Sequence, residues 1–366
     1  MKLNPTIQTG LIIEVKPEDF VLGASSIPFE RRNTTKDWRQ FRSRPERQRY
    51  ARFDAMNCVS QTSTNLWEAQ ANFLLVNNLW PKESLEFFNK NGYIVDGKFE
   101  ISERFQAKVS NTTTSGNSYQ RVLDTMRHDS ANGKGVVPEA LWPSTLNPDI
   151  DKIDWAAYYK TPSQEVFDLA KQSLEHFKFP YEAIHYGTQT DTLNIIKKAL
   201  EHAPLGLAVA TCQPWDGSVS VCSLPPNHAV TNDAFTTSYI IWDSYDPHEK
   251  YLEPGYLIHY VVKAVLSPLK KKEQSTNELN DGLFHHDIVF TQTGLEVGRL
   301  RRALSSLGFG NNVEKNLYDS ELAGAVFKFQ LKYLADTWLE MILNLKGRRV
   351  GPRTRAVLNR LQLFWK

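Results

Sequence analysis

A cysteine, a histidine and an acid, the side chains of a nucleophile and its base, follow one another along this chain as Cys58, His228 and Asp243. Cys58 opens a run with helical spacing, and the first turn of a helix stabilises a thiolate through its dipole and amide groups. His228 opens a strand-like run and Asp243 closes another. A thiolate needs a base, and that base needs a group to orient its ring. The order therefore predicts covalent catalysis by cysteine.

Each of the three residues also has an ordinary structural interpretation. Cys58 suits a small core side chain, His228 a loop histidine after two prolines, and Asp243 a turn residue at the end of a strand. Taken one at a time, these interpretations are favoured. Their joint placement along the chain favours the catalytic interpretation.

The periodicity of apolar residues predicts a helical first half and a sheet-forming second half. An amphipathic helix is predicted to follow Asn57, a candidate N-cap. Further helices are predicted at residues 118–129 and 190–202, and strands at 205–212, 219–223, 228–230, 238–242 and 256–265. Helices followed by antiparallel strands indicate an α+β fold with its site in the cleft between the halves.

A polar stretch divides the chain into two predicted domains, residues 1–266 and 284–366, with 267–283 as the linker. Helical periodicity returns at 295–307, 320–334 and 352–363, which predicts a small three-helix unit. Residues 284–366 carry 13 Lys and Arg against 7 Asp and Glu, whereas the remainder carries 30 against 34. A basic module favours anionic polymers such as wall teichoic acids or nucleic acid, although a solvated face is the commoner meaning of such an excess.

Several classes of protein and site are disfavoured by the sequence. The first ten residues lack the pattern of a signal peptide, and no apolar run approaches the roughly 20 residues that cross a bilayer. We therefore expect synthesis in the cytoplasm and no membrane insertion. Cys212 and Cys222 suit reduced core cysteines better than a disulfide across a hairpin. His285, His286 and Asp287 lack a matching ligand pair, so neither metal nor cofactor is predicted. The lysines at 270–272 suit a solvated linker, and no nucleic-acid partner is predicted.

Six pieces of the chain, within residues 16–265, resemble the papain family of cysteine peptidases in the family's order. They are the segment 36–40, the helix after the nucleophile at 60–73, the Gly-Val turn with Glu and Trp-Pro at 135–144, His-Ala-Val at 228–230, the strand and acid at 239–245, and Gly-Tyr at 255–256. The resemblance implies a two-lobed α+β fold, with a helical lobe and an antiparallel β lobe. It also implies a peptidase that works through an acyl-enzyme, with Cys58 as nucleophile, His228 as base and Asp243 orienting the base.

The chain departs from the family pattern at the site. The family's third residue is usually asparagine, whereas Asp243 is an acid. The usual oxyanion-hole glutamine is replaced by Arg52, and Gln48 is the nearest upstream candidate for that role. The chain before Trp38 is too short for the family's long inhibitory propeptide, so we expect an enzyme that is active as synthesised.

The resemblance also supplies residues for substrate binding. Ser115, Gly116 and Asn117 correspond to the glycine-containing wall of the cleft, for which an ordinary loop is the competing interpretation. Trp142, from the family's aromatic-proline pair, is assigned to substrate binding with them.

Residues 294–363 resemble the small peptidoglycan-binding domain that accompanies many wall-lytic enzymes. The resemblance is carried by an apolar helix ending Leu-Gly-Phe at 307–309, a second helix ending Phe-Gln at 329–330, and a Val-Gly-Pro-Arg-Thr turn at 350–354. The apolar residues suit a helical core. The resemblance therefore implies that exposed polar residues, namely Arg349, Arg353 and Thr354, contact glycan.

Together the two resemblances predict a cysteine endopeptidase that cleaves peptides of bacterial peptidoglycan. With no signal peptide expected, a bacteriophage lysin or a virion-borne enzyme acting at the wall is the leading interpretation. One alternative is a peptidase of protein substrates anchored to wall or virion, with other virion proteins as partners. Another is a non-catalytic wall-binding virion protein on a peptidase scaffold.

Overall fold

The structure, a computed structural model, contains two compact units; among the residues that it describes, those up to 269 belong to the first unit and those from 288 onward to the second. The described residues are 10–13, 32–144, 147–186, 192–211, 215, 218–219, 225–269, 288–289, 295–310, 317–333, 349–350, 354–355 and 357–358. The predicted linker lies outside them, apart from its first three residues. Of these, Ser267 and Pro268 form a strand instead, paired with Phe177–Lys178.

The first unit combines helices with an antiparallel sheet, which confirms the predicted α+β class. Its helices are α1 (Cys58–Val76), α2 (Lys82–Lys90), α3 (Glu103–Val109), α4 (Tyr119–Thr125), α5 (Trp155–Tyr158), α6 (Gln164–Ser173) and α7 (Thr192–Ala199). Its strands are β1 (Ile94–Val95), β2 (Lys98–Phe99), β3 (Phe177–Lys178), β4 (Tyr181–Tyr186), β5 (Leu205–Val209), β6 (Ser218–Val219), β7 (His228–Phe235), β8 (Tyr239–Trp242), β9 (Glu249–Leu252), β10 (Tyr260–Ala264) and β11 (Ser267–Pro268).

The helix predicted after Asn57 is present as α1, but it is buried on nearly every side, so the prediction that it is amphipathic is wrong. Its polar side chains are satisfied by the backbone of neighbouring elements instead of by water. Glu68 accepts the N–H of Ile101 at 2.6 Å. Gln70 donates to the carbonyl of Ala264 at 3.0 Å and accepts the N–H of Leu266 at 2.9 Å. Buried polar groups require such partners, so these bonds fix how α1 sits against the chain around it.

Seven strands form one sheet in the order β4, β10, β5, β7, β8, β9, β6. Every pair is antiparallel except β6 with β9. His228 is the first residue of β7 and lies opposite Val209 of β5. Asp243 directly follows β8, which pairs with β7. In an antiparallel pair, the first residues of one strand lie beside the last residues of the other. This topology therefore brings His228 and Asp243 together.

The core of the first unit lies between α1, the sheet and the segment before α1. Trp38 is fully buried there, and its indole N–H donates to the carbonyl of Leu200 at 2.8 Å. The buried side chains around it come from α1, α7 and the strands, including Ala69, Ile196, Leu207, Val230, Ile241 and Val261. Burial of aliphatic and aromatic side chains contributes roughly 1.5 to 3 kcal/mol for each, so this packing anchors α1 on the sheet.

The helical half also buries a group of glutamates, which we call the carboxylate cluster. Its members are Glu46, Glu68, Glu100, Glu103 and Glu139, each at most 6% exposed. The hydroxyl of Ser144 donates to Glu103 and lies within hydrogen-bond distance of Glu139. One carboxylate oxygen on each of Glu46, Glu68 and Glu103 has no hydrogen-bond partner within the described part of the chain. Carboxylates buried in this way are favoured in the protonated form.

The predicted elements agree with the structure in position more than in length. Helix α4 ends at Thr125, α7 ends at Ala199, and β10 begins at Tyr260, four residues after the predicted start. The sequence patterns did not predict α2, α3, α6, β4 or β9. None of the helices in the described ranges is both long enough and apolar enough to span a bilayer.

The second unit contains α8 (Leu295–Ser306), α9 (Ser320–Tyr333) and an antiparallel pair, β12 (Ile288–Val289) with β13 (Arg349–Val350). Its core is made by apolar residues of both helices, the strands and the segment before α9, including Val297, Leu304, Tyr318, Val326, Phe329 and Val350. Both helices lie where the sequence predicts them. Most of the helix predicted at 352–363 lies outside the described residues.

Candidate active site

His228 and Asp243 form a hydrogen-bonded pair in the interior of the first unit. His228 Nε2 lies 2.6 Å from Asp243 Oδ1, and both side chains are fully buried. The other carboxylate oxygen, Oδ2, accepts the indole N–H of Trp215 at 2.5 Å and lies 2.9 Å from Lys250 Nζ. The acid is therefore held at both oxygens, and its bond to Nε2 fixes the orientation of the imidazole ring.

The charges around the pair decide its protonation. Burial alone would lower the pKa of His228, but the Asp243 carboxylate and the Cys58 thiol together raise that pKa to about 10. Burial alone would raise the pKa of Asp243, but His228 and Lys250 outweigh it and lower that pKa below its usual range. At neutral pH the pair is therefore an imidazolium bonded to a carboxylate.

Cys58 is the first residue of α1 and has no exposed surface. The turn into the helix passes through Met56, which has a positive φ of 54°, and Asp54 accepts the N–H of Met56 at 3.0 Å. Asn57 occupies the N-cap position, but its side chain bonds to Tyr158 and Gln61 and does not cap the helix.

The second nitrogen of His228, Nδ1, is the ring atom left for the thiol. It is buried and meets no hydrogen-bond partner of normal geometry in the described part of the chain. Cys58 nevertheless interacts with His228 closely enough to raise the pKa of the ring. A thiolate at a helix N-terminus beside an imidazolium is the reactive state of a cysteine nucleophile. The structure thus brings together the three residues that the sequence predicts.

Two aromatic rings contact the imidazole of His228. The Tyr245 ring centroid lies 5.2 Å away in a tilted arrangement, and that of Trp215 lies 6.0 Å away and nearly perpendicular. Trp215 was not predicted as a site residue, because nothing in the sequence around it shows that its indole N–H donates to Asp243. The rings exclude water from the ion pair, and a lower local dielectric strengthens its electrostatic interactions.

Gln48 does not serve as the predicted oxyanion donor in this arrangement. Its two amide N–H groups are directed at Asp54 Oδ1, 2.9 Å away, and at the Tyr245 hydroxyl, 2.6 Å away. Its amide oxygen accepts the hydroxyl of Ser244 at 3.0 Å. A primary amide has only two N–H groups, and both are used. Gln48 instead joins the loop before Cys58 to the loop that carries Asp243.

An N-terminal segment, Gly10 to Ile12, occupies backbone positions close to the nucleophile. The Leu11 N–H donates to the carbonyl of Asn227, the residue before His228, at 3.2 Å. Ile12 donates to the carbonyl of Asn117 at 2.7 Å, and the Asn117 N–H donates to the carbonyl of Gly10 at 2.8 Å. This pairing is parallel. The segment therefore occupies backbone groups of Asn117 and of Asn227, the residue before His228.

The predicted cleft wall lies beside this segment. Gly116 has a φ of 94°, and a Cβ on it would lie only 1.6 Å from the carbonyl oxygen of Gly10. The side chain of Asn117 is buried and donates to Ser110 and Thr112, so its backbone is held in place. Ser115 is exposed and donates its N–H to Thr113. Gly116 and the backbone of Asn117 therefore face the segment, whereas no contact of Ser115 with it is seen.

Replacing Gly10 with alanine is expected to release the segment and to increase the rate at which iodoacetamide alkylates Cys58 severalfold. Gly10 has a φ of 82°, and a Cβ on it would lie 2.6 Å from the carbonyl oxygen of Met56. Gly92 is a matched control, since it also has a positive φ but has nothing within 4 Å of its Cβ position. Equal alkylation rates for Gly10→Ala and Gly92→Ala would contradict this role of the segment.

Two further predicted binding residues, Trp142 and Thr354, are buried in the cores of their units. Trp142 packs with Phe105 and Val137 and is only 8% exposed, so it is a core residue, contrary to its assignment to substrate binding. Thr354 is 1% exposed, and its hydroxyl accepts the Gln330 amide at 3.0 Å. The expectation that Thr354 is exposed is therefore wrong, because the hydroxyl helps to close the core.

For the two arginines, Arg349 and Arg353, contact with glycan stays a prediction. Arg349 begins β13, and nothing further is described of its side chain. Arg353 lies outside the described residues. The second unit does contain a groove of about 450 Å³, lined by residues of α8, α9 and the turn after α8, including Arg301, Phe309, Glu321 and Lys328.

Other site types find little support in the part of the chain that the structure covers. No group of three or more His, Cys, Asp or Glu side chains there is arranged to hold a metal ion. The sequences that suggested alternatives, at 270–272 and 285–287, lie outside it, as do Cys212 and Cys222.

Comparisons with known proteins give only distant similarities. No family model matches the chain, and no curated protein matches it. Among solved structures, the bromelain protease of Ananas comosus in complex with the inhibitor E64 is similar at 13% identity and a TM-score of 0.40, over 63% of this chain and 98% of that one. A periplasmic domain of the EpsAB fusion protein of the Vibrio vulnificus type II secretion system is similar at 14% identity and a TM-score of 0.18, over 50% and 64%. At these TM-scores neither similarity carries an argument, and the function has to be inferred from the side chains.

Proposed function

We propose that the first unit is a thiol peptidase in which Cys58 is the nucleophile and His228 the general acid and base. The observation that carries the proposal is the 2.6 Å contact between His228 and Asp243 beside a thiol at the N-terminus of α1. A buried imidazolium, oriented by an acid and interacting with a cysteine, has few structural uses. It supplies both a nucleophile and a proton donor.

The arrangement accounts for each step of acyl transfer. The thiolate of Cys58 attacks the peptide carbonyl, and the carbon–sulfur bond forms as the carbonyl electrons move to oxygen. His228 then gives its proton to the departing amine, which leaves a thioester on Cys58 and a neutral imidazole. Water, deprotonated by His228, attacks the thioester, and the acid product departs as the thiolate returns. Asp243 keeps the ring oriented throughout.

The tetrahedral oxyanion requires hydrogen-bond donors. The amide groups of the first turn of α1 surround Cys58 and carry the positive end of the helix dipole. Gln48 does not contribute, because its N–H groups bind Asp54 and Tyr245. In this proposal the helix N-terminus, not a glutamine side chain, is the main stabiliser of the oxyanion.

The proposed substrate is a peptide of bacterial peptidoglycan. Support comes from the resemblance of residues 294–363 to a peptidoglycan-binding domain and from the excess of basic residues in 284–366. A wall-binding module would raise the local concentration of the peptidase at its substrate. Action at the wall as a phage lysin or a virion-borne enzyme, with virion proteins as further partners, belongs to the same proposal. A protein substrate is the competing possibility.

The test is hydrolysis by the full chain and by Cys58→Ala of two substrates, purified sacculi and casein. Release of amino groups from sacculi by the native chain alone would support the whole proposal. Release from casein alone would keep the peptidase and replace its substrate. Equal inertness on both substrates would overturn the peptidase proposal. Pelleting of Cys58→Ala with sacculi would then point to a non-catalytic wall-binding protein.

A further inference from the structure

Lys250 is a buried cation at the candidate active site that the acyl-transfer mechanism does not use. It lies in β9, and its side chain has no exposed surface. Its ammonium group lies 2.9 Å from Asp243 Oδ2 and donates to the carbonyls of Tyr245 and Pro247. These three acceptors match the three N–H groups of an ammonium ion. Burying an ammonium carries a large desolvation penalty. An apolar side chain would fill the same space without that penalty, so packing alone does not explain a lysine here.

The charges of the site balance only when Lys250 is included. The reactive state holds a thiolate on Cys58, an imidazolium on His228 and a carboxylate on Asp243, which sum to one negative charge. Lys250 brings that sum to zero. Other ionisable groups adjoin the site from neighbouring loops. His248 contacts the Asp243 carbonyl, and Asp54 accepts a hydrogen bond from Tyr245. The guanidinium of Arg49 lies over the Tyr245 ring.

We propose that Lys250 is a positioning residue that acts through Asp243: its charge offsets that of the carboxylate, which makes the four-residue site of Cys58, His228, Asp243 and Lys250 electrically neutral and thereby sets the pH range in which Cys58 reacts. The inference rests on the proposed function in taking Cys58 and His228 as the reacting pair. It goes beyond that function in adding a fourth member to the site. A site with the acid alone would hold its protons more tightly, because a net negative charge in a dry interior attracts them.

Replacing Lys250 with a neutral residue is expected to change the pH dependence of Cys58 reactivity in one direction. Without Lys250, both the thiol and the imidazolium lose their protons less readily, so the pH at which Cys58 becomes reactive rises. Asp243 and His228 separate the ammonium from the thiol. For unit charges about 10 Å apart at an effective dielectric constant near 20, the expected rise is on the order of one pH unit. At any pH below the midpoint, a midpoint that is one pH unit higher lowers the alkylation rate about tenfold. A loss of packing alone would lower stability without moving this midpoint.

The experiment measures the rate at which iodoacetamide alkylates Cys58 across pH in the full chain, with Cys212→Ser and Cys222→Ser removing the other thiols. Lys250→Met is expected to move the midpoint upward by about one pH unit, whereas Lys250→Arg retains the charge and is expected to keep it near that of the parent chain. A folded Lys250→Met chain with the midpoint of the parent would overturn the inference.

A second variant keeps the test decisive if Lys250→Met does not fold. The pair Lys250→Met with Asp243→Asn buries no unpaired charge. Its midpoint is to be compared with that of Asp243→Asn alone, because the nearer carboxylate is then absent from both chains. The double variant is expected to have the higher midpoint by about one pH unit, since it also lacks the Lys250 cation. Equal midpoints in these two variants would overturn the inference.

Alkylation requires no peptide substrate, so the two proposals fail in different ways. If the native chain hydrolyses nothing, the alkylation series still reports on Lys250. If hydrolysis depends on Cys58 but the series shows no dependence on Lys250, the peptidase stands and this inference falls.

Discussion

Asp243→Asn is expected to destabilise the first unit by about 3 to 5 kcal/mol, the cost of removing one partner from a buried ion pair. Asparagine is close in shape, and its oxygen can still accept a hydrogen bond from His228. The loss arises at Lys250, whose ammonium is fully buried and keeps only two carbonyl dipoles as partners. Equilibrium unfolding of the native and variant chains in urea at pH 7 measures it.

The control is the double variant in which Lys250→Met accompanies Asp243→Asn. It buries no unpaired charge, and we expect it to recover most of the lost stability, because replacing a buried ion pair by neutral groups is often close to neutral. A double variant less stable than Asp243→Asn by the full cost of a second core substitution would show that the two side chains are not energetically coupled. The expected coupling is large because Oδ2 of the acid directly contacts the ammonium.

The second large effect is a loss of stability as the pH rises, caused by the carboxylate cluster. Burial, followed by repulsion among the neighbouring carboxylates, raises the pKa values of Glu46 and Glu103 well above the ordinary 4.5. Burial and Glu100 likewise raise that of Glu68. The folded chain therefore holds protons that the unfolded chain releases above pH 4.5. The free energy of unfolding falls by about 1.4 kcal/mol per pH unit for each proton so retained.

The slope of the free energy of unfolding against pH has the opposite sign to that seen in ordinary acid denaturation. A raised carboxyl pKa contributes stability that is fully present below about pH 4.5 and is lost as pH rises through the folded pKa values. His228 adds a loss of the same sign above its ordinary pKa of 6.5. The interval from pH 5 to 6.5 therefore isolates the glutamates. Urea unfolding at half-unit intervals across this range is the measurement.

Glu103→Gln provides the decisive comparison, because glutamine is neutral at every pH and nearly the same shape. It is expected to flatten the slope and to stabilise the chain by roughly 1 to 3 kcal/mol at pH 7. Glu83→Gln is the matched control, because Glu83 is exposed in α2. If the free energy of unfolding does not change between pH 5 and 6.5 in the native chain, or changes equally in both variants, the carboxylate cluster does not control stability in this range.

The sequence was most informative where a residue type and its place in a secondary-structure element pointed the same way. Cys58 at a helix start, His228 at a strand start and Asp243 at a strand end were predicted correctly, because antiparallel strands return their ends to one edge. Strands β5, β7 and β8 could be predicted because their β-branched and apolar residues stand between turn formers.

Partners that depend on long-range packing could not be predicted. Lys250 lies in a short strand, β9, with ordinary polar composition, and nothing local shows that its ammonium is buried against an acid. Gln48 was assigned by its distance in sequence from Cys58, but its amide is taken by Tyr245, far along the chain. The polar residues of α1 suggested an exposed face, because periodicity cannot distinguish side chains bonded to water from those bonded to buried backbone. Thr354 was assigned to glycan through the resemblance and its polar type, neither of which shows that its hydroxyl is bonded to the buried amide of Gln330.

The hydrogen bonds of Gln48 couple the two loops that carry the site residues. They join the loop ahead of the nucleophile to Ser244 and Tyr245, so the parts of the site that come from distant stretches of chain share a single buried side chain. Local fluctuations that separate nucleophile from base would have to break these bonds together. We therefore expect the site to open as one cooperative unit, so that the backbone amides of the two loops would have similar protection from hydrogen exchange.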